Sequence, residues 1–278
     1  MQLTARWLKV DMTQSHRSMQ SSSSLRREPR ISSAIVLRQI DYGESDLIVS
    51  LLTSELGILR GYARGARKSI KRFGPALEPF TQIEICWQPG RGDLLTLLDA
   101  EVISSRQGLR LSLTSLALAS YAVEILEMLL QDGEEQPEIY LLLQSYLDFL
   151  SQQGDPALAR LLFELRLVQH LGYIPHLLHC SECFALFENG QIAFDPVRGG
   201  SLCANCVAEK PPTFVGLGTL GSLSRSLQTP VGLFEGFKLG ECTLKEGAVM
   251  MSLILESVLP RVPKSLRFLQ QTTSPDEP

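Results

Sequence analysis

The sequence predicts an α+β multidomain protein: an N-terminal five-stranded OB-fold barrel, then a C-terminal α-helical domain with an inserted four-cysteine zinc ribbon. Three observations carry that prediction. Five short runs rich in Val, Ile, Leu and aromatics lie within residues 33–106, separated by turn signals. From 107 to 270 the apolar residues recur mainly at helical spacing. Inside that helical part, over residues 178–210, stand two C-x-x-C pairs.

The strands are read as "AIVLRQI", "DLIVSLLT", "GILRGYAR", "FTQIEICWQ" and "LLTLLDAEVI". Between them come "DYGES", "ELG", a basic loop closing on "FGPALEP", and "PGRGD". Five strands in about 70 residues suit a small closed or half-closed barrel, for which the OB-fold is the commonest candidate. Residues 1–32 are basic and contain a four-serine run, without the apolar core of a secretory signal. They read as a disordered extension. A transit peptide, or a true start at Met12 or Met19, are the alternatives.

After Gly108 the pattern changes. Residues 112–131 are apolar almost all round and contain no Gly or Pro, which suits a buried helix. Ile139, Leu142, Leu143, Tyr146, Leu147 and Leu150 share one face of a second helix. Asp155-Pro156 supplies an N-cap and a first-turn proline for a third, ending near Gly172. Further helices are expected over 216–228 and from a capping box, Thr243-x-x-Glu246, to the Pro260/Pro263 region. The tail 271–278 reads as disordered.

The composition is that of a globular chain of 278 residues, 44% hydrophobic and 20% charged. No uninterrupted apolar run approaches the ~20 residues that span a membrane, so no membrane partner is expected. Six cysteines in this length do not make a disulfide scaffold. Their tight pairing points to metal in a reducing compartment, hence a cytoplasmic location. Cys86 and Cys242 stand alone and read as buried small hydrophobes.

The pairs form C-x2-C-x19-C-x2-C, with Cys180, Cys183, Cys203 and Cys206 as candidate ligands. Each C-x-x-C turn places two thiolates on one side of a tight loop, and two such loops at the ends of a hairpin make a tetrahedron. One structural Zn2+ is the favoured reading. A catalytic zinc would want an open position, which four thiolates do not leave; His176 or His179 could replace a cysteine. A dithiol redox site normally needs one pair at a helix N-terminus.

The net charge of −4 argues against a nucleic-acid partner, but the distribution argues otherwise. From Arg60 to Arg72, "RGYARGARKSIKR" holds six Lys or Arg and no acid. Strand alternation puts Arg60, Tyr62 and Arg64 on one face and the small apolar Leu59, Gly61 and Ala63 on the other. Arginines neutralise phosphates, and Tyr62 would stack a base for about 1–3 kcal/mol. Arg67, Lys68, Lys71 and Arg72 extend the surface through the loop, and Arg38 on the first strand joins it. The competing reading is a solvated strand with a Tyr at its edge. Four phosphate contacts on a single strand would give a salt slope near −3. No phosphate loop, nucleophile elbow or carboxylate cluster is found, so no catalytic residue is assigned. Glu44 and Asp46 belong to a turn.

The opening "AIVLRQIDYGESDLIVSLLTSELGILRGYARGARKS", with Gly199-Gly200 before the second cysteine pair and a late "PKSLRFL", resembles the bacterial recombination mediator family RecO. The resemblance covers about residues 33–270. It implies a non-enzymatic DNA repair and recombination protein that binds single- and double-stranded DNA and anneals complementary strands. It further implies that RecR is a partner in assisting RecA loading onto DNA coated with single-strand-binding protein, whose acidic, Phe-ending C-terminal tail the helical domain would hold. By resemblance the basic barrel face would hold DNA, in the nucleoid. The rival reading is a zinc-ribbon scaffold or regulator whose basic patch meets an acidic protein.

Overall fold

The computed structural model describes residues 28–273 apart from Arg91, Asp93, Ala208 and Glu209. Most of the expected disordered extension 1–32 and tail 271–278 lies outside the described residues, as does part of the "PGRGD" turn. Where they are described, both expectations are corrected, since the first strand begins at Arg30 and a helix runs to Thr273.

The five expected strands form: β1 (Arg30–Tyr42), β2 (Asp46–Thr53), β3 (Gly57–Ala63), β4 (Gln82–Pro89) and β5 (Leu94–Ser104). They close in the order β1-β2-β3-β5-β4, with β4 pairing back onto β1. Every pairing is antiparallel except β3 with β5, which run parallel from Arg60↔Leu94 to Ala63↔Leu97. Alternation decides which residues fill the barrel: Ala34 and Val36 point inward with Val49, Leu51, Ile83, Ile85 and Leu97. Gly61 sits where an added Cβ would lie 2.7 Å from the Leu97 side chain, so the small face of β3 is needed to close the barrel.

The outward residues of the same strands have a different role. Ile35, Leu37, Leu52 and Ile58 are buried in the core of the helical domain. That domain contains α1 (Leu113–Leu129), α2 (Pro137–Ser151), α3 (Pro156–His170), α4 (Leu217–Leu227), α5 (Glu241–Val258) and α6 (Lys264–Thr273). The two domains are further joined by polar contacts. Arg106, almost wholly buried, donates to Asp148 of α2 and to the Phe80 carbonyl.

Asp155 caps α3 as expected, accepting from the Ala157 and Leu158 amides at 2.9 and 3.2 Å. The Thr243-x-x-Glu246 capping box is a correction. The helix begins earlier, at Glu241, and Glu246 instead accepts from the Gly216 amide and the Thr219 hydroxyl at the start of α4. It binds two helices together rather than starting one. Cys242 is another correction: in the first turn of α5 it is exposed, and Cys86 is half-buried. Helix α6 was not foreseen.

Glu124 explains how α6 is held. From within the apolar α1 its carboxylate accepts from the Lys264 and Ser265 amides, the Ser265 hydroxyl and the Arg261 guanidinium, at 2.7–3.0 Å. Burial alone would raise its pKa, but these donors together bring it down to about 2 from 4.5. A depressed carboxylate stabilises the fold above its unfolded pKa and loses that contribution as pH falls from about 4.5 towards 2. The full contribution is roughly 3 kcal/mol. Thermal melts of wild type and Glu124→Gln should therefore differ most at neutral pH, with the gap closing as pH falls from about 4.5 towards 2; a constant gap would contradict the capping role.

Candidate nucleic-acid interface and metal centre

The four cysteines lie in turns beside a small three-stranded sheet, order β7-β6-β8, formed by β6 (Gln191–Asp195), β7 (Gly200–Leu202) and β8 (Thr213–Gly216). The first knuckle turns through Phe184, whose φ of 61° is left-handed, with its amide donating to the Cys180 carbonyl. At the second, the Cys206 and Val207 amides donate to the Cys203 carbonyl. Gly200, at φ 122°, lies where a Cβ would be 2.5 Å from the His176 carbonyl, so only glycine allows the bridge between these segments.

All four sulfurs lie within 4.8 Å of one another. The Cys183 and Cys203 sulfurs are 3.6 Å apart. That is far beyond a disulfide and near the ~3.8 Å edge of a tetrahedron with metal–sulfur bonds of about 2.3 Å. Burial opposes ionisation of Cys180, yet amides of Cys183, Cys203 and Glu182 donate to its sulfur and bring its pKa down to about 6. A closed set of four thiols with thiolate-stabilising amides fits a metal ion. His176 and His179 are not part of the cluster; their rings pack on each other at 4.6 Å. The sheet is not isolated from the rest of the fold, because Ile192, Phe194 and Val215 belong to the helical core.

The basic residues lie on and beside β3. Its outer face is divided along its length. Ile58 is covered by the helical domain, and its carbonyl accepts from the Gly133 amide. Arg60 stands at the seam, 3.4 Å from Asp132. Tyr62 donates to Asp46 and meets Tyr42 edge-on at 6.0 Å. Asp46 also accepts from the Gly65 amide at 2.7 Å. These two bonds, the Tyr62 one foremost, hold its pKa below the usual carboxylate value. Asp46 thus anchors the start of the basic loop, in keeping with a turn role. Glu44 is exposed in the same turn.

Acids brought in by the fold meet three of the arginines. Arg38 pairs with Glu127 of α1 at 2.8 Å, Arg60 with Asp132, and Arg67 with Asp41 at 3.4 Å. Arg72 lies back on the loop, donating to the Arg64 carbonyl and Ser69 and covering the Phe73 ring at 4.9 Å. Arg64, Lys68 and Lys71 are exposed and form no ion pair among the described residues. The loop that carries them is firm: Ala66, Phe73, Ala76 and Leu77 are buried in the barrel core beneath it. Sequence alternation could place the cations but not the carboxylates opposite them, which come from elsewhere in the chain.

A second polar–apolar feature lies among the helices. A cavity of about 210 Å³ is lined by apolar Leu255, Leu259 and Leu266 and by charged Arg160, Arg261 and Glu256. Among the described residues no helix is long and apolar enough to cross a membrane.

Two family models match the chain in succession. "Recombination protein O N terminal" covers residues 30–106 and "Recombination protein O C terminal" residues 110–267. A protein of Syntrophotalea carbinolica named DNA repair protein RecO is 47% identical over 87% of this chain and 94% of its own length. Proteins of the same name from Anaeromyxobacter sp. strain K and Geobacter metallireducens are 38% and 37% identical. They cover 85% and 86% of this chain, and 94% and 96% of their own lengths.

Proposed function

The chain belongs to the RecO family of DNA repair proteins, and from that premise we propose that it is a non-enzymatic recombination mediator that captures single strands on its barrel and anneals them. The observation that carries the reading is the firm loop presenting Arg64, Lys68 and Lys71, exposed and in no ion pair among the described residues, with only Asp46 near enough to Arg64 to feel its charge. Cations free of intramolecular partners gain the full release of counterions when they meet phosphates. Double-stranded DNA would use the same surface. Two strands neutralised on one face approach each other without mutual repulsion, which is what annealing requires.

In this reading the four cysteines hold one structural Zn2+, whose bound ion fixes the thiolate knuckles and leaves no coordination position for a substrate. RecR and the acidic tail of single-strand-binding protein are the protein partners, and through them RecA is loaded in the cytoplasm. The apolar lining of the cavity, Leu255, Leu259 and Leu266, suits the aromatic end of such a tail, although its two arginines are already paired, Arg160 with Glu164 and Arg261 with Glu124. A scaffold that binds only an acidic protein would also use the basic loop. The match to a DNA repair family along most of the chain favours DNA.

Annealing of complementary oligonucleotides, bare or coated with single-strand-binding protein, tests the proposal. The protein should speed both reactions without nucleotide hydrolysis; no acceleration of either would overturn it. A second expectation concerns the acids. Glu127→Gln combined with Asp132→Asn frees Arg38 and Arg60 and removes two charges that repel phosphate. Affinity for single-stranded DNA should rise about three- to fivefold at low salt and converge with wild type at high salt. Unchanged affinity at low salt would place Arg38 and Arg60 outside the DNA path.

A further inference from the structure

We propose that the cleft beside the basic loop is a seat for one unstacked nucleobase, covered by Ile70; the proposal rests on the single-strand reading above. The cleft has a volume of about 540 Å³ and lies between the β1–β2 side of the barrel and residues 66–78. Its floor is apolar, built from Leu47, Ala66, Phe73 and Leu77, all of which are buried in the barrel core. Ile70 forms one lip and is 85% exposed. A single exposed isoleucine is ordinary. Here it borders an apolar-floored cleft and stands between Lys68 and Lys71, both exposed.

Backbone hydrogen bonds on both sides of Ile70 fix the loop that carries it. Phe73 donates to the Ser69 carbonyl, Arg67 to that of Ser45, and Ala100 to that of Arg72. Behind it Gly74, at φ 43°, leaves only 3.1 Å between an added Cβ and the Ile70 carbonyl. The main chain beneath the exposed Ile70 side chain is therefore fixed beside the cleft.

A nucleobase matches this arrangement better than a phosphate does. Its flat faces are apolar, and aliphatic side chains such as Ile insert against unstacked bases in other DNA complexes. Its edges carry donors and acceptors, and the cleft places the Gln39 amide and the Asp41 and Glu78 carboxylates at its polar rim. Carboxylates accept from exocyclic amino groups, as on cytosine, and thymine has none. Both cleft carboxylates already hold a guanidinium, Asp41 that of Arg67 and Glu78 that of Arg110, so a phosphate entering the cleft would have to displace a carboxylate from its partner, whereas a base edge need only share it. The sugar–phosphate backbone must then pass outside, along Lys68 and Lys71, with a base turned inward.

Binding of the full chain to oligo-dC, oligo-dT and an abasic oligomer of equal length separates base from backbone contacts. Wild type should bind oligo-dC about tenfold more tightly than the abasic strand, with oligo-dT between them. Ile70→Ala should cut the dC-to-abasic ratio about fivefold while leaving the salt slope and the melting temperature unchanged. Lys68→Glu should weaken all three strands equally. A wild-type ratio near one, or a ratio that Ile70→Ala does not move, overturns the base seat while leaving phosphate capture intact. If Lys68→Glu also changes nothing, the single-strand reading of this loop fails with it.

Discussion

Serine at Cys180 and Cys203 is expected to abolish metal binding and lower the melting temperature by roughly 10 °C, the largest effect of any substitution considered. Structural zinc contributes roughly 10–16 kcal/mol in small peptide sites. Within a folded domain, part of that is replaced by the surrounding packing. A net loss of about 3 kcal/mol in a chain of this size corresponds to a shift of that order. The loss would not stay in the knuckles. Cys180 is fully buried and packs with Ala193 and Leu202, while the neighbouring Ile192 and Phe194 belong to the helical core. Loosening β6 therefore loosens the packing of the helices against it. Chelation of wild-type protein should reproduce the effect, and restoring zinc should reverse it. A chelated protein that melts like the untreated one would contradict a structural metal.

Reversing Lys68 and Lys71 together to glutamate is expected to weaken single-stranded DNA binding about 100-fold at low salt. Each loses a phosphate contact and adds a repulsion, so about a tenfold loss per site is reasonable. The slope of log affinity against log salt should become shallower, from about −2 for three contacts at about 0.7 each to about −0.7 for the one that remains. Both side chains are exposed, so the melting temperature should hold. Reversing Arg67 in the same way should cost less, because Asp41 already occupies it at 3.4 Å. Equal losses at all three positions would mean that the intramolecular pairs do not compete with phosphate.

The barrel was legible because its signals are local. Period-two alternation set the inward residues of β3, and Gly61 and Ala63 fell on the small face that Leu97 requires. The metal site was legible for the same reason: two tight turns at a fixed spacing. Expectations failed where the deciding partner lay far along the chain. Glu127 is 89 residues from Arg38, and Glu246 reaches back 30 residues to Gly216. Nothing near Arg38 announces the first pairing. The box spacing at Thr243 concealed the second, since a carboxylate that can cap its own helix can equally bind another. Ile70 was passed over because a lone isoleucine among lysines gives no periodic signal.

The burial of Ile35, Leu37, Leu52 and Ile58 against the helices has a consequence for biosynthesis. The barrel leaves the ribosome first, and its covering helices follow at about 5–20 residues per second. For several seconds four aliphatic side chains on its outer wall have nothing to cover them. The nascent chain is then a natural client for a chaperone. A gene fragment ending at residue 106 would remain in that state, so its poor solubility would reflect a missing neighbour rather than a faulty barrel.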